Sequence, residues 1–230
     1  MAREPDVSLE RSEAIVVRGV DFSETSRIVT LLSPDRGKLA CMAAGVKRPK
    51  SALAGLLDTL NRLEIVYYWK DGRSIQKLAE ATLLDAYAGI RRDLEKNVFA
   101  AFPLELAYKT AQENEPSREL YAALTGGLNS MATWDGPARA HAAWQVLRLL
   151  KVAGFDPDLT SAATMLPHAA QARSRITGED LDVLRRLAAN SAECGVRQDR
   201  PGVFAALRAY VVQELEAEFR SLRVIDRMFE

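Results

Sequence analysis

The hydrophobic period of this 230-residue chain changes once, close to Leu83, and that change restricts the folds open to it. Upstream, apolar side chains recur every second residue; downstream they recur at spacings of three and four. The clearest alternation sets Leu63, Ile65, Tyr67 and Trp69 against Arg62, Glu64, Val66 and Tyr68, which predicts a strand with one face well buried. Asp71-Gly72 reads as a hairpin turn, and residues 74–81 supply the returning strand. Three earlier strands are expected at 13–19, 27–32 and 38–44, the second ended by Ser33-Pro34. Residues 1–12 are polar and predict a loose arm. Five strands with no long helix between them indicate a small barrel or sandwich.

Beyond Leu83 the pattern is helical. Asp93 suits an N-cap for a helix carrying Leu94, Val98, Phe102 and Leu106, with Pro103 predicting a kink or restart, since an interior proline costs roughly 3 kcal/mol. Pro116-Ser117 and Gly136-Pro137 open two more helices, the latter stopped by a left-handed cap at Gly154 and by Pro157. Residues 155–176 read as loop. Thr177-Gly-Glu-Asp180 has capping-box spacing, and a last apolar stripe runs through Phe204, Leu207, Val211, Leu215 and Phe219. The expectation is an α+β, multi-domain chain: a barrel domain over 1–82 and an all-α domain over 83–230.

Charge narrows the function. The chain balances 31 basic against 31 acidic residues, yet from Arg36 to Leu57 there are Arg36, Lys38, Lys47, Arg48 and Lys50 and no acid. Such segregation after a strand suits a surface that follows a phosphate backbone, and it equally suits a solvated loop. Pro49 should stiffen the knuckle formed by Lys47, Arg48 and Lys50. Phe22, Tyr67, Tyr68 and Trp69 lie in the same half, and Tyr68 points opposite to Tyr67 and Trp69. Tyr68 either offers a stacking ring to a base or rests on the barrel surface.

Catalytic and metal chemistry find no constellation. Lys50-Ser51 resembles the end of a phosphate-binding loop, but Pro49 stands where the glycine should be and has no N–H to give. Cys41 and Cys194 are the only cysteines, His141 and His168 the only histidines, and neither pair has metal-ligand spacing. Cys41 reads as core filler, Cys194 as a loop residue, and both histidines as structural or exposed. No cofactor is expected. No apolar run approaches the roughly 20 residues that span a bilayer, and the start has no apolar signal region, so no membrane contact and a cytoplasmic place are expected.

Several segments resemble the RecO family of bacterial recombination mediators. They are residues 21–32, Gly37-Lys38-Leu39, residues 44–55 (AGVKRPKSALAG), Leu63-Glu64-Ile65, residues 154–159 (GFDPDL) and residues 219–223 (FRSLR). The stretch at 44–55 is the most specific, and the resemblance covers about 13–225. It implies an N-terminal five-stranded OB-fold β-barrel followed by a helical domain. It implies binding of single- and double-stranded DNA, strand annealing, partnership with RecR and with the C-terminal tail of single-strand-binding protein, and help in loading RecA. Many relatives carry a zinc knuckle after the GFDPDL motif; here residues 160–165 read TSAATM, so the resemblance implies loss of that zinc site.

The expected DNA-binding residues are Arg27, Arg36, Lys38, Lys47, Arg48 and Lys50. Lys109, Arg148 and Lys151 are expected to rim an apolar groove for the partner tail. The expected function is a non-enzymatic mediator of DNA repair and homologous recombination, cytoplasmic and nucleoid-associated. An RNA-binding OB-fold module and a structural adaptor remain alternatives.

Overall fold

The computed structural model describes residues 7–190, 194–195 and 197–229. The chain divides into two compact units, Met1–Tyr87 with Thr110–Ala122, and Ala88–Lys109 with Ala123–Glu230.

The first unit is a closed five-stranded barrel in the order β1-β2-β3-β5-β4, with β1 Val7–Asp21, β2 Arg27–Ser33, β3 Gly37–Ala43, β4 Arg62–Lys70 and β5 Gln76–Asp85. One strand makes closure possible. The first half of β1 pairs with β4, from Val7↔Lys70 to Ile15↔Arg62, and its second half pairs with β2, from Ile15↔Leu32 to Asp21↔Arg27. A register shift between Val16 and Arg18 bends the strand where it changes partner. The last seam is the short parallel pair Cys41↔Gln76 and Met42↔Lys77. This is the OB-fold, as the resemblance implied.

The loose arm expected at 1–12 is corrected in its second half. Residues 1–6 lie outside the described residues, but 7–12 belong to β1, and backbone pairing with β4 outweighs their weak alternation. Val29, Leu31, Leu39, Cys41, Leu63, Ile65, Tyr67 and Leu78 fill the interior, so alternation in β3 and β4 places side chains as the sequence indicated. Burial pushes the Cys41 thiol up to about 12, which suits core filler and not a nucleophile.

Residues 110–122 return to this unit. Lys38 donates its N–H to Gln112 O at 2.9 Å, and Asn114 donates to Lys38 O at 3.1 Å, so the segment satisfies backbone groups along the edge of β3. Gly37 permits this approach. Its φ is +53°, and a Cβ there would sit 2.2 Å from Glu115 O and 2.7 Å from Gln112 O.

The second unit is helical: α1 Ala88–Arg91, α2 Leu94–Thr110, α3 Arg118–Thr133, α4 Ala138–Val152, α5 Ala162–Met165, α6 Ala170–Arg173, α7 Gly178–Ala189, α8 Pro201–Leu215 and α9 Arg220–Phe229; the ends of α2 and α3 at Thr110 and 118–122 fall in the barrel unit. Asp93 caps α2, accepting from Lys96 N at 3.1 Å. Pro103 does not end α2, so of the expected kink or restart the restart does not occur. Phe99 and Phe102 pack edge-on against Phe204 at 5.2 and 5.7 Å, and that burial offsets one missing backbone bond. Gly154 adopts φ +82°, with Gly154 N donating to Lys151 O and Phe155 N to Leu150 O, the expected left-handed stop. The Thr177–Asp180 capping box forms. The stretch 155–176, expected as loop, contains the single-turn helices α5 and α6. The last stripe divides, because Glu216 at φ +45° ends α8 and sends Phe219 into the lead of α9.

Candidate nucleic-acid interface

The loop between β3 and β4 is built on apolar anchors. Val46 and Leu57 are buried, and Leu53 and Leu56 pack against the barrel core. Asn61 donates its side-chain N–H groups to Gly55 O and Leu56 O, which fixes the far end. At the near end Lys47 N donates to Thr25 O at 3.1 Å, joining the loop to the β1–β2 turn. Gly45 (φ +70°) and Lys50 (φ +63°) then turn the backbone around Arg48 and Pro49. With its apolar side chains inward, the loop leaves Lys47, Arg48, Pro49 and Lys50 all exposed.

The six expected cations separate into two groups. Arg27 and Lys47 meet at Asp21: Arg27 Nε is 3.1 Å from Oδ1 and Lys47 Nζ is 2.7 Å from Oδ2. Hydrogen bonds from Lys47 and then Arg27 hold the Asp21 carboxyl below its ordinary range, so it stays charged against them. Arg48 and Lys50 have no ion-pair partner among the described residues. Phe22, 60% exposed, stands in the turn that receives Lys47 N–H.

Arg36 and Lys38 lie at the other end of the β2–β3 hairpin. Arg27 pairs with Ala43 and Ser33 with Gly37, so a strand length of roughly 20 Å separates them from the knuckle. Arg36 donates to both Glu10 oxygens, at 2.6 and 3.1 Å, and its Cζ stands 3.9 Å over the Trp69 ring. Tyr67 OH also donates to Glu10 Oε2 at 2.7 Å. Burial would raise the Glu10 carboxyl, but hydrogen bonds from Arg36 and Tyr67 prevail and hold it low. Lys38 Nζ is 3.7 Å from Glu113.

Register reveals neighbours that the sequence did not. A row of outward side chains passes through Val20, Ile28, Met42, Lys77, Tyr68 and Leu9, each the cross-strand partner of the next. It returns to β1 eleven residues from where it began, because barrel strands are staggered. Apart from Lys77 the row is apolar or aromatic, and Val20, Tyr68 and Leu9 are at least 40% exposed. Lys77 Nζ lies 5.5 Å from the Tyr68 ring centre. Met42, Ala44, Arg73, Ile75 and Lys77 line a cavity of about 390 Å³ beside it. Arg73, Lys77 and Met42 went unrecognised in the sequence, where nothing brings the β3 end to the β4–β5 hairpin.

The expected partner-binding cations sit apart in the helical unit. Lys109 lies in the last turn of α2 with Nζ 5.1 Å from the Phe219 ring centre, Arg148 lies 4.7 Å over Trp144, and Lys151 is exposed in the last turn of α4. Burial lowers the Arg148 pKa. An apolar cavity of about 470 Å³ lies elsewhere in this unit, lined by Ala172, Ile176, Ala205 and Val212 with Arg175 and Arg208. Lys109, Arg148 and Lys151 do not line it. Among the described residues no group of three or more His, Cys, Asp or Glu could hold a metal ion, and no helix is long and apolar enough to cross a membrane.

The first unit is thus an OB barrel with a basic loop and an exposed aromatic, and the second unit is helical. The family models described as "Recombination protein O N terminal" and "Recombination protein O C terminal" match residues 7–87 and 91–223. The chain belongs to the RecO family. Among its relatives, the DNA repair protein RecO of Bifidobacterium adolescentis is 35% identical over 153 residues, covering 66% of this chain and 61% of the relative. That of Rhodopirellula baltica is 32% identical over 182 residues, covering 77% and 61%, and that of Salinibacter ruber 30% over 152 residues, covering 65% and 58%. The matched stretch thus spans about three fifths of these relatives' length.

Proposed function

We propose that this chain is a mediator of DNA repair and homologous recombination that binds single- and double-stranded DNA and anneals complementary strands. The observation that carries this reading is the knuckle: Arg48 and Lys50 project without acidic partners beside Lys47, Arg27 and Phe22. Cations held on a stiff loop neutralise phosphates of two strands and lower their mutual repulsion. Base pairing then supplies the specificity, so no bond-making step is required of the protein. Arg36 and Lys38 extend the basic surface to the far end of the hairpin once their carboxylate partners are displaced.

The same reading includes RecR as a partner and the C-terminal tail of single-strand-binding protein as a ligand of the helical unit, with Lys109, Arg148 and Lys151 attracting its acidic residues. Help in loading RecA on DNA coated by single-strand-binding protein follows indirectly, in the cytoplasm at the nucleoid. An annealing assay with complementary oligonucleotides tests the proposal. Acceleration over the protein-free rate supports it, and an unchanged rate removes it.

A further inference from the structure

We infer that the outer face of the barrel, at Tyr68, Lys77 and Met42, is a base-binding subsite that takes one or two unstacked nucleobases of a single DNA strand. The inference rests on the reading of the barrel as a DNA-binding module. It adds a second surface, distinct in chemistry from the knuckle.

The three side chains occupy adjacent strands in one register row, Met42↔Lys77 and Lys77↔Tyr68. Neighbouring strands are about 4.8 Å apart, so a cation stands between a ring and a thioether that are roughly 10 Å apart. That spacing suits an extended single strand, with one base on Tyr68, a phosphate near Lys77, and the next base in the cavity lined by Met42, Ala44 and Ile75. Arg73 lines the same cavity and adds a second positive charge. Tyr68 is 40% exposed although Tyr67 and the interior residues of β4 are buried, so its ring lies on the solvent side of the sheet.

The subsite distinguishes strands, which the knuckle does not. Phosphates are available in single strands and duplexes alike, whereas the faces of paired bases are hidden in the stack. A strand gripped by phosphates at the knuckle and by a base or two at the hairpin leaves its remaining bases open to pair.

The test uses the full chain with a single-stranded oligonucleotide carrying 2-aminopurine, and with its duplex. Wild type and Tyr68→Trp should quench the single-strand fluorescence on binding. Tyr68→Leu, which keeps apolar bulk on β4 but has no ring, should lose that quenching and bind single strands at least about fivefold more weakly. Its duplex affinity should stay within about twofold. Tyr68→Val, whose β-branched side chain suits a strand, gives the same selective loss should the leucine variant fold poorly. Equal losses for single strand and duplex, or unchanged single-strand binding in both variants, would overturn the subsite while leaving the DNA-binding function intact. A wild-type protein that binds no DNA at all would instead remove the function and the subsite together.

Discussion

Lys47 Nζ lies 2.7 Å from Asp21 Oδ2, and the same carboxylate takes Arg27 on its other oxygen. A basic loop that looks uncompensated in sequence is therefore partly neutralised by the end of β1. Replacing Asp21 with Asn should free both cations for phosphate. Single-strand affinity should rise at low salt, and the slope of log affinity against log salt should steepen by about 0.7 to 1.4. Salt titration by fluorescence anisotropy checks this; an unchanged slope would mean that neither cation reaches DNA. Melting temperature should barely move, because the pair is exposed.

Gly37→Ala should destabilise the barrel unit by about 3 kcal/mol, combining a left-handed φ with overpacking against the carbonyls of Glu115 and Gln112. Urea denaturation measures it. A loss below about 1 kcal/mol would show that residues 110–122 yield readily.

The structure also divides what a sequence can and cannot disclose. The strands at 27–33, 37–43 and 62–70 were legible because a closed barrel buries alternate residues, and the caps at Asp93, Thr177 and Gly154 because capping is local. The first half of β1 was not, since Leu9 is exposed and Ser12 buried, and its pairing with β4 joins residues about fifty to sixty apart. The return of 110–122 to β3 and the passage of α2 through Pro103 depend likewise on tertiary contacts. At the interface, the charge of the knuckle was visible in sequence. Its partial neutralisation by Asp21 and the row linking Met42, Lys77 and Tyr68 arise from turns and register, which composition does not carry.

His141 offers a pH test of the helical unit. It is fully buried, Nε2 is 2.9 Å from Ser130 Oγ, and Nδ1 has no hydrogen-bond partner among the described residues. Burial, with Lys96 and Arg148 adding repulsion, drops its pKa to about 4 from the ordinary 6.5. Its folded pKa is depressed, so the stability is fully present above 6.5 and is lost as pH falls toward 4. Unfolding free energy should decline by about 2 kcal/mol between neutral pH and roughly pH 5. His141→Phe should flatten that decline, and an equal slope in the variant would assign it to other groups.

Chelator should leave the protein's stability unchanged. Where the resemblance implies a lost zinc knuckle, Ser161 and Thr164 cap one another, and Arg185 donates to Leu159 O at 3.0 Å and Thr160 O at 2.8 Å. Hydrogen bonds thus hold a stretch that a metal would otherwise order. A fall of more than about 5 °C in melting temperature with EDTA, or stoichiometric zinc in the purified protein, would contradict this.

The knuckle itself is tested most directly by the salt dependence of single-strand binding in the triple variant Lys47→Ala, Arg48→Ala, Lys50→Ala. All three residues are exposed, so folding should be preserved, with each exposed change usually within about 0.5 kcal/mol. Two or three lost phosphate contacts, according to whether Lys47 leaves Asp21 on binding, should flatten the slope of log affinity against log salt by about 1.4 to 2.1, and weaken binding alike for every DNA sequence. A folded triple variant with the wild-type slope would contradict the account and move the DNA surface elsewhere.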